Sequence, residues 1–273
     1  MHFGFERALL HELQFFDKGD VTEIVIKIHF DGLPLSKSLK DQLWTQLGKI
    51  TKPQPSRVFI IRAYYGRGNQ KLSSEFLKCF VEEYKNLHET GFLYKGRKGT
   101  LTLSQMIADS PARSLITCTK SHNGYSACPR CAVEGQYEYH KMIFLGTDSQ
   151  LKTDETFANR TDEEHHVGDS PLEEMQVKMV SEIPLYVMHL IDIGVVPRMI
   201  GSLLSGRHSG RLSGKQMKDL SGLPLSLREW IPNEFVPNRE VWMNFYDGRR
   251  QNFVFSALTL VQQLFNHSCL QNI

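Results

Sequence analysis

The sequence predicts an α/β fold, a mixed sheet with flanking helices, on three observations. Residues 21–31, "VTEIVIKIHFD", alternate strictly: Ile24, Ile26, Ile28 and Phe30 share one side, and Glu23, Lys27, His29 and Asp31 the other. That period of two is the pattern of a half-buried strand. Residues 73–91, "SSEFLKCFVEEYKNLHETG", place Phe76, Leu77, Phe80, Val81, Tyr84 and Leu87 at helical spacing and stop at Gly91, a suitable residue just past a helix end. Strand-like runs lie on either side of that helix, so strands, a helix, a strand and a second helix follow one another before residue 120.

The elements follow in chain order. "MHFGFERALLHELQFF" opens a helical segment, 1–20, with Phe5, Leu9, Leu13 and Phe16 inward; it has no basic region before a clean apolar run, so it does not read as a secretory signal. After the first strand, "GLPLSKS" is a turn, "DQLWTQLGKI" a weaker strand or short helix, and "SRVFIIRAYYG" (56–66) a strand consistent with burial on both faces. In "TLTLSQMIAD", Leu101, Leu103 and Ile107 share one parity, giving a strand that ends at Asp109; Ser110 suits an N-cap and Pro111 the first helical position. These elements make up 21–120. Residues 121–182 turn to Gly, Asn, Thr, Asp, Glu and His with little periodicity, an insertion too long for an idle loop and in need of its own organiser. Residues 183–230 begin helical, with a kink expected at Pro197, and 231–273 form a less assigned tail holding the apolar helix "RQNFVFSALTLVQQLFNH".

Composition bounds the function. A chain of 273 residues, 41% hydrophobic, is long enough to bury a sizeable core. With 32 Lys plus Arg against 30 Asp plus Glu, the net charge of +2 announces no nucleic-acid partner, so any DNA-binding face must be local. The basic clusters at 94–100, 206–218 and 246–250 sit among Gly and Ser and read first as solvated loops. The apolar stretches are broken or short, which argues against a membrane partner, and five cysteines with only Cys128 and Cys131 closely spaced argue for a reducing compartment.

Three groups of residues bear on chemistry. Asp31 and Asp109 each stand at a strand's carboxyl end; if those strands are parallel neighbours, the two carboxylates meet, and a divalent cation relieves their repulsion while binding phosphate oxygens. Each aspartate has a plain structural reading as well, Asp109 as a favourable charge at a helix N-terminus. "HNGYSACPRC" holds Cys128 and Cys131 at the spacing of half a structural zinc site; a redox pair is the alternative, without a thioredoxin-like frame around it. The partners would come from His165 and His166 in "EEHH" or His189 in "VMHLID". The adjoining "GDSPLEEM" reads as an exposed acidic loop and a helix capped at Ser170, with Pro171 and Glu173 in its first turn.

Taken in order, "DGLPLSKS", "VFIIRAYYG", "FVEEYKNLHETGF", "DSPARSLITCTKSHNGYSACPRC", "RTDEEHHVGDSPLEEM" and "IPLYVMHLIDIGV" resemble the animal transposon-derived transposases related to the CACTA (En/Spm-like) group, from about Ile24 to Gly206. The resemblance implies an RNase H-like core interrupted by a zinc-binding insertion, with cut-and-paste DNA transposition as the ancestral activity. In such a core the first and fourth strands are neighbours. Asp31 and Asp109 would then be catalytic carboxylates holding Mg²⁺ or Mn²⁺, one metal activating the attacking oxygen and the other stabilising the leaving oxygen. Cys128 and Cys131, with histidines from His165, His166 and His189, would hold a structural Zn²⁺. DNA is the implied partner, a homo-oligomer a further expectation, and the nucleus the location that a DNA substrate implies.

The chain also departs from that pattern. Relatives carry an acidic residue two positions before the Met-His dipeptide, here Met188-His189, and this position is Tyr186. A phenol with an ordinary pKa of about 10 is a poor metal ligand beside two carboxylates. Asp192, six residues on, lies roughly 120° off on ideal helical geometry, and Glu182, four residues before, is nearer in direction but a turn away. Pro197 falls where relatives continue a helix, and the short segment before the first strand leaves no room for a separate DNA-binding module, so the expectation is a truncated and catalytically degenerate copy. The competing expectations are a DNA- or chromatin-binding protein that keeps the scaffold without catalysis, and a non-functional remnant.

Overall fold

Strand β1 is longer than the alternation at 21–31 suggests. It runs Glu23–Pro34, because strand β2 (Asp41–Lys52) pairs with it antiparallel past Asp31, setting Asp31 opposite Thr45 and Pro34 opposite Gln42. The ambiguous "DQLWTQLGKI" is therefore a strand, its partner deciding what its own pattern left open. This computed structural model describes residues 1–16, 21–35, 41–67, 73–205 and 210–216. The basic run at 246–250, the tail helix at 250–267 and much of the cluster at 206–218 lie outside them.

Strand β3 (Phe59–Arg67) pairs antiparallel with β2 and forms one edge of the sheet. The expectation of burial on both faces is corrected here. Phe59 and Ile61 are buried against helices α1 (Phe5–Leu13) and α2 (Ser73–Thr90), whereas Ile60 is 49% and Tyr65 62% exposed on the opposite face. Helix α1 buries Phe5, Leu9 and Leu13, with Phe16 beyond its end, and α2 buries the six residues named from its spacing. Phe30 meets Phe76 and Phe80 edge-on, and Phe5 stacks on Phe80, so β1 and both helices share one aromatic core. Gly91 ends α2 at φ +76°, which a Cβ would strain; an added Cβ would also sit 2.4 Å from the Gly99 carbonyl.

Strands β4 (Phe92–Tyr94) and β5 (Arg97–Ala108) complete the order β3-β2-β1-β5-β4, with β5 parallel to β1 and the other pairings antiparallel. The β1–β5 register breaks once. Ile26 opposes Leu103 but Lys27 opposes Gln105, leaving Ser104 as an extra residue whose Oγ donates to the Ile26 carbonyl at 3.0 Å. A one-residue bulge inverts the parity that follows it. Leu101 and Leu103 are buried before it and Met106 and Ala108 after it, so Ile107, which shares the parity of Leu101 and Leu103 in the sequence, is not on the core side.

Helix α3 (Ser110–Ile116) follows, capped by Asp109 rather than Ser110; the carboxylate, the first side chain outside the helix, accepts from Ala112 N at 2.8 Å. Residues 121–182 contain strands β6 (Gln136–Glu138) and β7 (Lys141–Ile143), helix α4 (Asp154–Ala158) and short 3₁₀ turns at Glu163–His165 and Pro171–Met175. Ser170 does cap the last of these, reciprocally with Glu173, though over a 3₁₀ rather than an α-helical turn. Phe157, Leu172, Val177, Met179 and Val180 join the cluster formed by the sheet and its helices, so the polar segment borrows the main core instead of packing one of its own.

The chain divides into two compact units, Met1–Tyr186 and Val187–Ile273. In the second, a π-helix (Met188–Val195) leads into helix α5 (Val196–Ser205), so the irregularity expected at Pro197 lies just before it, as a widened turn. A Cβ on Gly194 would come within 2.7 Å of the His189 carbonyl, which explains a glycine inside that turn. No described helix is long and apolar enough to cross a membrane.

Candidate functional site

The parallel ladder of β1 and β5 ends at the pair Phe30 and Ala108, both buried on the core side. Asp31 and Asp109 are the next residues on each strand, so they are level with one another and project from the opposite face. The bulge at Ser104 is the cause: unbroken register would have set Asp31 level with Ala108 and moved Asp109 to the other parity. Asp31 is held in the β1–β2 ladder and Asp109 in extended backbone at φ −67°, ψ 173°, one oxygen committed to its helix cap.

Tyr186 stands at this pair. Its phenol is held above the ordinary tyrosine range first by burial, then by the negative charges of Asp31 and Asp109. Its ring meets that of His29, two residues before Asp31 on the same face of β1, edge-on at 5.4 Å between centroids. The position two before Met-His is therefore brought to the two aspartates, and what it offers there is a neutral hydroxyl. Glu182 does not replace it, because its carboxylate accepts from Lys178 N at 3.1 Å, within its own turn.

The segment that delivers Tyr186 is held peptide by peptide. Asp154 Oδ1 accepts from Val180 N at 2.8 Å and Ser181 N at 2.9 Å; Arg130 donates to the Val180 carbonyl at 2.6 Å and the Ile183 carbonyl at 3.3 Å. Met106 N on β5 donates to the Glu182 carbonyl at 2.8 Å, and Arg113 on α3 to the Pro184 carbonyl. His29, Arg113 and Arg130 were not among the residues singled out from the sequence. The available signals were local: His29 shares the parity of Asp31, Arg113 lies one helical turn after Asp109, and Arg130 sits inside the C-P-R-C turn.

The Cys128 and Cys131 thiols lie 3.3 Å apart. Burial, then the neighbouring Cys128, raises the Cys131 thiol above its usual range, so a metal would displace protons on binding. The turn is braced by Lys152, whose Nζ donates to the Cys128 carbonyl at 2.8 Å and pairs with Asp162 at 2.9 Å. His165 is 2% exposed; its Nδ1 donates to the Ser126 carbonyl at 2.6 Å, and burial lowers its pKa to about 4, keeping the ring neutral with Nε2 as the lone-pair nitrogen. His166 packs edge-on against Phe157 at 4.6 Å, and its Nδ1 is buried without a hydrogen-bond partner. Two thiols at this spacing have the donor chemistry of half a structural zinc site, and the Ser126 contact leaves His165 Nε2 available as a donor. Among the described residues, however, no three His, Cys, Asp or Glu side chains gather as a metal-holding group. His189 belongs to the second unit, on the π-helix.

A scan against protein-family models matches none, and a search of curated proteins returns no significant match.

Proposed function

We propose that this chain is a transposase-derived protein with an RNase H-like core, built around a DNA-cleaving centre in which Tyr186 stands where a third carboxylate is needed. One observation carries the reading: Asp31 and Asp109, separated by the whole of β2, β3 and α2, each follow the last paired residue of the neighbouring parallel strands β1 and β5, and Tyr186, whose ring meets His29 of β1, feels the charge of both. The antiparallel run of β1 to β3, the crossover α2 and the return of β5 beside β1 are the connections such a core requires.

Asp31 and Asp109 would hold Mg²⁺ or Mn²⁺, whose contribution is to polarise a phosphodiester and lower the pKa of an attacking oxygen. Tyr186 adds no charge to that set, so the centre binds divalent metal weakly and cuts DNA poorly. Cys128 and Cys131 would share a structural Zn²⁺ with a histidine of the same unit, His165 or His166. DNA is the partner and the nucleus the location under this reading, with a homo-oligomer as a further part of it. The neutral phenol also favours a second reading, a DNA-binding scaffold kept without catalysis.

The test is a Mn²⁺-dependent nicking assay on supercoiled plasmid with the parent, Tyr186→Asp, and Tyr186→Asp combined with Asp109→Asn. Cutting by Tyr186→Asp alone supports a centre disabled at one residue. Silence from all three folded proteins, with salt-sensitive DNA binding intact in each, transfers the support to the scaffold reading.

A further inference from the structure

One buried and one half-buried guanidinium, Arg113 and Arg130, turn their donors inward rather than to solvent. Arg113 is 7% exposed, and its pKa is lowered to about 10 by burial and then by the positive charge of Arg130. Arg130 is lowered in turn by its own burial, which the charge of Asp154 partly offsets. Burying two like charges near one another is unfavourable unless their donors are used. Here they are used on the backbone carbonyls of Val180, Ile183 and Pro184, the residues that lead directly to Tyr186.

We propose that Arg113 and Arg130 are positioning residues for chain position 186, fixing its side chain against Asp31 and Asp109. Arg113 closes a short circuit. Asp109 caps α3, Arg113 N bonds the Asp109 carbonyl at 2.8 Å, and the Arg113 side chain reaches Pro184, two residues before Tyr186. The separation of Asp109 from residue 186 is thereby set by one helical turn and one side chain. Arg130 performs the same task from the C-P-R-C turn on the carbonyls of Val180 and Ile183, while Asp154 accepts from the neighbouring Val180 and Ser181 N–H groups. Any state of the Cys128–Cys131 turn that moves Arg130 therefore moves residue 186. The catalytic side of this proposal rests on the DNA-cleaving reading; the positional side does not.

The experiment reads position directly. In full-length protein with selectively protonated Tyr and His in a deuterated background, the parent should give a ring-to-ring NOE between Tyr186 and His29, assigned by its disappearance in Tyr186→Phe. Arg113→Met and Arg130→Met should abolish it while the amide spectrum of the sheet stays folded, and Arg130→Lys, which holds one carbonyl instead of two, should weaken it. Arg130→Lys is the mildest of the three and reads the proposal if a methionine variant fails to fold. Retention of the full NOE in any folded variant overturns the proposal. In the Tyr186→Asp background, Arg130→Met should slow nicking by roughly 10²-fold, the scale of an ångström-level misplacement, with partial recovery in Arg130→Lys. A silent Tyr186→Asp protein counts against the cleavage reading and leaves the NOE to decide the positioning.

Discussion

The sheet with α1 and α2, and the segment from 121 to 186, are stabilised in different ways. In the first, position follows mainly from burial: Ile24, Ile26, Ile28, Phe30, Phe76 and Phe80 are fully buried in one shared cluster, with a few directed bonds such as Gln46 Nε2 to the Phe76 carbonyl added to it. In the second, few large side chains are available, and position follows from directed bonds between charged side chains and backbone: Asp154 and Arg130 on 180–183, Arg113 on Pro184, Lys152 on Cys128, His165 on Ser126. The apolar part carries the stability, and the bonded part carries the placement of Tyr186 and the cysteine turn.

Predictions follow from breaking each half in turn. Phe80→Ala, which removes a ring packed against Phe5, Phe30 and Tyr84, should lower the unfolding free energy in urea by about 3–5 kcal/mol. Arg113→Met should lower it less, by about 1–3 kcal/mol for the orphaned Pro184 carbonyl, with part of that returned as repulsion from Arg130 disappears. The same titration measures it, and a loss as large as that of Phe80→Ala would erase the distinction between the two halves.

Acid should act on the bonded half through His165. Its folded pKa, about 4, lies below the ordinary histidine value, so the neutral ring stabilises the fold above pH 6.5 and that contribution is lost as pH falls toward 4. The loss should be on the order of 2 kcal/mol after screening by nearby solvent, and a pH series of urea titrations comparing the parent with His165→Phe should show it absent from the variant. The smallest effect belongs to Asp109. Asp109→Ala removes the α3 cap and should cost about 1 kcal/mol, whereas Asp109→Asn keeps a capping oxygen and should leave the melting temperature nearly unchanged. That difference qualifies Asp109→Asn as the folded control in the nicking assay.

The apolar half was largely legible. Helix α2 and its six inward residues, the inward side of α1, the alternation of β1 and the stop at Gly91 all follow from periodicity, because a face packed on a core imposes its period on the sequence. The cap at Ser170 was legible from its local chemistry. Where a residue's place depends on a neighbour, local pattern misleads: β3 reads as doubly buried but is an edge strand, and Ser110 reads as a cap that Asp109 takes. The resemblance that joined Asp31, Asp109 and position 186 supplied an adjacency that spacing alone did not contain.

By itself the sequence determined α1, α2 and the alternation of β1 with their inward faces, and the residue types available for chemistry at 31, 109, 128, 131 and 165. Only the tertiary structure decided that β5 returns parallel beside β1, that one extra residue at Ser104 inverts the parity before Asp109, and that Arg113 and Arg130 bond the carbonyls just before Tyr186. The reason is physical: periodicity is written by burial and is read locally, whereas a bulge and a side-chain bond to a distant carbonyl arise only when two remote segments meet.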